Sequence, residues 1–125
     1  MPRVLDSTAV LALLHQEPGG RAVLPLLADA IISSVNAAEV LRVLVRSGAS
    51  LADAKRAFAR LHLTVIAFQP DDAAAAVEVA QLAPELSLAD CACLALARLR
   101  RASGVVTADR IWTRFDFGVP VKLIR

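Results

Sequence analysis

Four carboxylates in this 125-residue chain occupy places where side chains do chemistry: Asp6, Glu39, Asp90 and Asp109. Asp6 directly follows the apolar pair Val4-Leu5. Glu39 lies one turn into the helical stretch after Ile31-Ile32-Ser33. Asp109 comes two residues after Val105-Val106-Thr107. These three stand at the exits of expected strands, and a parallel sheet gathers such positions at one edge. Asp90 opens the long helical stretch that feeds the run at Val105, so its place is left open. No Lys or Arg adjoins Asp6, Glu39 or Asp90 in sequence. At ~6 Å and an effective dielectric of ~20, each like-charged pair costs roughly 3 kcal/mol. A hard divalent cation with oxygen ligands relieves that repulsion. Mg²⁺, with Mn²⁺ as a substitute, is the usual choice when the substrate brings phosphate. The chemistry such a centre performs is phosphodiester hydrolysis, by lowering the pKa of a bound water and neutralising phosphoryl charge.

A competing reading is structural. Asn36-Ala37-Ala38-Glu39, Ser50-Leu51-Ala52-Asp53 and Ser87-Leu88-Ala89-Asp90 all have the form of a capping box, in which the N-cap side chain and the acid three residues on satisfy each other's backbone amides. Asp109 suits the N-cap of a turn at Arg110. Asp53 shows that the pattern arises here without a preceding strand. Asp6 differs: a charge ending a buried run and entering an apolar helix has no obvious structural need. Other chemistries find little support. His15 and His62 are the only histidines, and no zinc spacing, phosphate-binding glycine loop or serine nucleophile elbow occurs. Trp112 and Phe115 read as lids over a core edge. Arg98, Arg100 and Arg101 read as cations closing a helix.

The elements that must position these acids follow from hydrophobic spacing and breakers. Strands are expected at Val4-Leu5, Ile31–Ser33, Thr64–Phe68, Gly104–Thr107 and Val119–Ile124. Helices are expected at Ser7–Gln16, Arg21–Asp29, Asn36–Arg46, Ser50–His62, Pro70–Leu82 and Ser87–Ala102, with one helical turn at Arg110–Arg114. Strands alternating with helices give an α/β fold with a mostly parallel sheet.

Composition bounds the rest. The chain is 57% hydrophobic and 21% charged, with net charge +2 from 14 basic and 12 acidic residues. That excludes a disordered chain and does not announce nucleic-acid binding by charge alone. One domain spanning residues 1–125 fits the length. No apolar stretch reaches the ~20 residues of a membrane span, and the Met1-Pro2-Arg3 start leaves no room for a signal-peptide core. Cys91 and Cys93, at i and i+2 of a helix, point apart, which predicts free buried thiols. A cytoplasmic protein is the expectation. Mean hydropathy of +0.57 points to an interface.

The segment Val4-Leu5-Asp6-Ser7-Thr8-Ala9-Val10-Leu11-Ala12-Leu13-Leu14 resembles the opening of PIN-domain ribonucleases, specifically the VapC toxins of bacterial toxin–antitoxin pairs. Asn36-Ala37-Ala38-Glu39-Val40-Leu41 resembles that family's second acidic motif. Ser87-Leu88-Ala89-Asp90-Cys91-Ala92-Cys93-Leu94 resembles the third. Val106-Thr107-Ala108-Asp109 with Phe117-Gly118-Val119-Pro120-Val121 resembles its ending. The likeness runs through the whole chain in order and spacing. It implies an α/β/α sandwich with a five-stranded parallel sheet, a metal-dependent endoribonuclease and a homodimer. It further implies a VapB-like antitoxin whose C-terminal segment blocks the acidic pocket. Carried over by motif, Asp6, Asp90 and Asp109 hold the metal, Glu39 binds or orients metal-held water, and the Thr107 hydroxyl supports the cluster. Cys91 and Cys93 after the third acid, and the lack of any Tyr, depart from better-known members. Two alternatives stand beside this reading: a non-catalytic PIN-fold binding module and a metal-dependent nuclease acting on DNA. A phosphoryl-accepting receiver domain fits poorly, because its acceptor belongs at the end of a central strand and Asp53 sits in a helix cap.

Overall fold

A computed structural model describes residues 2–125; Met1, the first residue of the expected domain, lies outside them. Five strands form one sheet: β1 (Arg3–Leu5), β2 (Ala30–Ser33), β3 (Thr64–Ile66), β4 (Gly104–Thr107) and β5 (Val121–Leu123). Their spatial order is β3-β2-β1-β4-β5 and every pairing is parallel. The helices are α1 (Ser7–Leu14), α2 (Ser34–Arg46), α3 (Leu51–Ala59), α4 (Pro70–Leu82) and α5 (Leu88–Leu99). Two 3₁₀ segments, Gly20–Asp29 and Arg110–Arg114, complete the chain.

Strand periodicity explains the sandwich. Successive residues of a strand face opposite sides of the sheet. Val4, Ile31 and Val105 are therefore buried on one face with α4, α5, Trp112 and Phe117. Leu5, Ile32 and Val106, one residue along, are buried on the other with α1, α2 and α3. Strands covered on both faces read as continuous apolar runs, as these do. Within α5 every residue from Cys91 to Ala97 is buried. Cys91 and Cys93 are both free and buried. Trp112 is fully buried inside the first core layer rather than capping its edge.

Boundaries shift in four informative places. The segment expected as a helix at Arg21–Asp29 is a 3₁₀ run starting at Gly20; Pro25 offers no amide for an i→i−4 bond, which favours tighter turns. The helix expected from Asn36 begins two residues earlier, because Ser33 is its N-cap and accepts from the Val35 amide at 3.2 Å. The helix expected to reach His62 ends at Ala59, and His62 itself takes a left-handed conformation, φ 53°. The edge strands stop short: β3 ends at Ile66 rather than Phe68, and β5 spans only Val121–Leu123. Among the described residues no helix is long and apolar enough to cross a membrane.

Candidate acidic site at the carboxyl edge of the sheet

The strand order reverses beside β1: β2 and β3 lie to one side of it, β4 and β5 to the other. In open parallel sheets the crevice at such a switch, beyond the carboxyl ends, is where ligands bind. Asp6 leaves β1 there, and its amide donates to the Val106 carbonyl of β4 at 2.9 Å. Asp6 occupies the N-cap position of α1, yet its side chain makes no capping bond. Instead Oδ2 accepts from two hydroxyls, Thr8 at 2.6 Å and Thr107 at 2.9 Å. Thr8 in turn accepts from the Ala108 amide and Thr107 from the Asp109 amide, each at 3.0 Å. Each hydroxyl thus accepts from one backbone amide and directs its proton at Asp6. Asp6 Oδ1 is buried and has no partner. Burial pushes the Asp6 carboxyl up to about 6; the two threonine hydroxyls oppose that rise, and the charges of Asp90 and Glu39 add to it.

Asp90 arrives from α5. It completes a capping box with Ser87: its amide donates to Ser87 Oγ at 3.1 Å and its Oδ2 accepts from the Ser87 amide at 3.1 Å. That box holds the carboxylate in one rotamer. Its pKa is still raised, by burial first and then by Glu39 and Asp109. Glu39 stands on α2, where Asn36 Nδ2 donates to its Oε1 at 3.0 Å. Asn36 is therefore not the N-cap of a box with Glu39, as the sequence pattern suggested; it is inside the helix and holds the acid by its side chain. Asp109 follows β4 and does cap the turn at Arg110, its Oδ1 accepting from the Ile111 amide at 3.0 Å. Asp53 stands apart on α3, exposed and paired with Arg56.

The structure brings Asp6, Glu39, Asp90 and Asp109 into one electrostatic group and leaves Asp53 out. None of the four has a cationic partner: the ion pairs among the described residues are Arg56–Asp53 and Arg125–Glu17. Cys93 lies behind the group, and burial together with Asp6, Asp90 and Glu39 pushes its thiol well above the ordinary range. It is a neutral packing residue, not a nucleophile or zinc ligand. Sequence reasoning named Thr107 but passed over Thr8 and Asn36. A hydroxyl two residues after a strand-ending acid was the signal for Thr8. A polar residue at i−3 from Glu39 was the signal for Asn36, and it was read as a cap.

The donor set is entirely oxygen, with one buried carboxylate oxygen left open, which fits a hard divalent cation better than zinc. Among the described residues no three His, Cys, Asp or Glu side chains form a ready-made cage. Mg²⁺ does not need one, since it keeps several waters and takes one or two carboxylates plus substrate phosphate.

A family model, that of the PIN domain, matches residues 3–118. No curated protein matches the chain. Several solved structures share its fold. A chain of VapBC2 from Rickettsia felis, bound to a DNA fragment from their promoter, aligns at TM-score 0.77 and 18% identity, covering 98% of each chain. A chain of VapBC-1 from nontypeable Haemophilus influenzae aligns at 0.75 and 15%, covering 99% of this chain and 98% of that one. A chain of VapBC-5 from Mycobacterium tuberculosis, a member of the VapBC family of toxin-antitoxin systems, aligns at 0.63 and 23%, covering 99% and 98%.

Proposed function

This chain belongs to the PIN domain family, and on that premise we propose that it is the VapC-type toxin of a toxin–antitoxin pair, a Mg²⁺-dependent endoribonuclease. The observation that carries the reading is Asp6: a carboxylate buried at the switch point, with one oxygen held by two hydroxyls and the other open, inside an acid group that has no cation of its own. A scaffold has no use for that arrangement, which costs stability unless an ion neutralises it.

Asp6, Asp90 and Asp109 would hold Mg²⁺ or Mn²⁺. When bound, the ion supplies charge neutralisation at the phosphoryl oxygens and a water of lowered pKa. The chain's own residues do the positioning. Thr8 and Thr107 fix Asp6 through Oδ2 and leave Oδ1 buried without a partner, the oxygen available to a cation. The Ser87 box fixes Asp90. Glu39 would accept a hydrogen bond from the attacking water and orient it. RNA is the substrate class; as the water oxygen bonds to phosphorus the P–O bond to the leaving 3′ or 5′ oxygen breaks, the water's proton passes to solvent and the leaving oxygen takes a proton from solvent. The likeness to VapBC chains supports an antitoxin partner, whose C-terminal segment blocks the acidic pocket. Free buried cysteines suit a reducing, cytoplasmic setting.

The test incubates the purified protein with matched single-stranded RNA and DNA, with EDTA, and with Mg²⁺ or Mn²⁺ restored. Cleavage of RNA that EDTA abolishes and either ion restores is the expected result. Cleavage of DNA but not RNA moves the protein to the DNA-directed alternative. Full activity in EDTA removes the metal from the mechanism.

A further inference from the structure

Asn36 has a feature that the fold alone does not explain. It is completely buried, and both protons of its amide nitrogen are spent: one goes to Glu39 Oε1 at 3.0 Å, the other to the Ala89 carbonyl at 3.1 Å. Its Oδ1 is buried without a partner. An amide kept only for packing satisfies both ends or yields to an apolar residue, because an orphaned buried acceptor costs about 1–3 kcal/mol. Here the cost is accepted at the oxygen while the nitrogen clamps two elements far apart in sequence. Glu39 belongs to α2. Ala89 sits in the first turn of α5, directly before Asp90. The nitrogen therefore links the backbone that carries one acid to the carboxylate of another.

We propose that Asn36 is a positioning residue that sets the spacing between Glu39 and Asp90, holding them close enough to act on one ion despite their repulsion. The inference rests on the metal-dependent reading above. The choice of residue follows from donor count. Only a side chain with two N–H groups and no charge can grip a carboxylate and a carbonyl together at this depth. An Asp at position 36 offers no donor and adds a fifth negative charge. A Leu keeps the same branched skeleton, with bulkier methyl ends, and removes both bonds along with the orphaned acceptor. Partners that orient metal-binding groups typically contribute 10–100-fold to metal affinity or activity.

The experiment has two arms on the full chain. In the metal-free protein, NMR follows the Asn36 side-chain NH₂ signals and the Ala89–Asp90 backbone amides. Glu39→Gln, on α2, should shift both sets, since the clamp transmits the change to α5; shifts confined to α2 overturn the proposal. In the second arm, calorimetric Mg²⁺ titration compares wild type, Asn36→Leu and Asn36→Asp, with thermal melting alongside. Asn36→Leu should bind Mg²⁺ about 10–100-fold more weakly while melting no lower than wild type. Mg²⁺ affinity within threefold of wild type in that variant overturns the positioning role alone. A purely structural Asn36 gives a lowered melting temperature with unchanged Mg²⁺ affinity, which also overturns it. Wild type that binds no Mg²⁺ overturns the metal reading and takes this inference with it.

Discussion

Asp6, Asp90 and Asp53 are all acids beside a helix start, and their surroundings separate them. Asp53 is exposed and has Arg56. Asp90 has its cap but no cation. Asp6 has neither cap nor cation. Asp90→Asn should lower cleavage more than about 100-fold with the fold intact, because the amide oxygen still accepts from Ser87 while the charge is gone. Asp53→Asn, at a helix start of similar sequence, should leave cleavage unchanged; a rate assay on the pair checks both. Asp6 makes a second prediction, in pH. Its folded pKa of about 6 lies above the ordinary 3.8, so the folded state binds more protons between those values. Stability of the metal-free protein should then fall as pH rises from 4 to 6, by roughly 2 kcal/mol from this group. Urea midpoints should drop across that window in wild type and drop less in Asp6→Asn, whose amide oxygen still accepts from Thr8 and Thr107 while the raised carboxyl of Asp90 remains. At this level the sequence was readable for the acids, because charge at a strand exit is conspicuous. It was not readable for Asn36, because the same four residues write both a cap and a clamp, and only the packing of α5 against α2 decides between them.

The elements were legible where periodicity was strong and less so where glycine and proline govern. All five strands were visible as β-branched runs, and their parallel pairing followed from alternation with helices. What no pattern gave was the order β3-β2-β1-β4-β5, since long-range pairing leaves no local trace. The Gly19-Gly20 pair is a point of contact. A Cβ on Gly20 would stand 2.2 Å from the Ala12 carbonyl oxygen, and one on Gly19 would stand 2.1 Å from that of Ile124. Gly19 also has φ +84°. These glycines let the 3₁₀ segment fold against the end of α1 while the chain's last residues pass alongside. There Arg125 bonds Glu17 at 3.3 Å and the Pro18 carbonyl at 3.1 Å. Gly19→Ala and Gly20→Ala should each destabilise by more than about 2 kcal/mol. Gly48→Ala, at positive φ but with nothing within 4 Å, should cost less. Chemical denaturation of the three variants provides the ranking, and equal losses would contradict it.

Several large apolar side chains stand exposed on the surface of the molecule. Leu24, Leu51, Val77, Leu88 and Leu99 are each more than half exposed, in keeping with the mean hydropathy of +0.57. We expect a homodimer, and light scattering at micromolar concentration should return twice the mass of one chain; a clean monomer would count against it. The class of fold and the presence of an acid group were legible before any coordinates, since both follow from residue type and spacing. Which apolar face meets which partner was not, because hydropathy sums over faces that the fold separates.

The pairing of β1 with β4 has a temporal consequence. Asp6 is held by Thr107, 101 residues further along the chain, and β1 is flanked on one side by β4, whose residues are Gly104–Thr107. During synthesis Asp6 and Glu39 are made well before Thr107 and Asp109, and until β4 arrives Asp6 has only the Thr8 hydroxyl at hand. The acid group therefore assembles only once β4 has paired with β1, and a product cut short before β4 lacks it permanently.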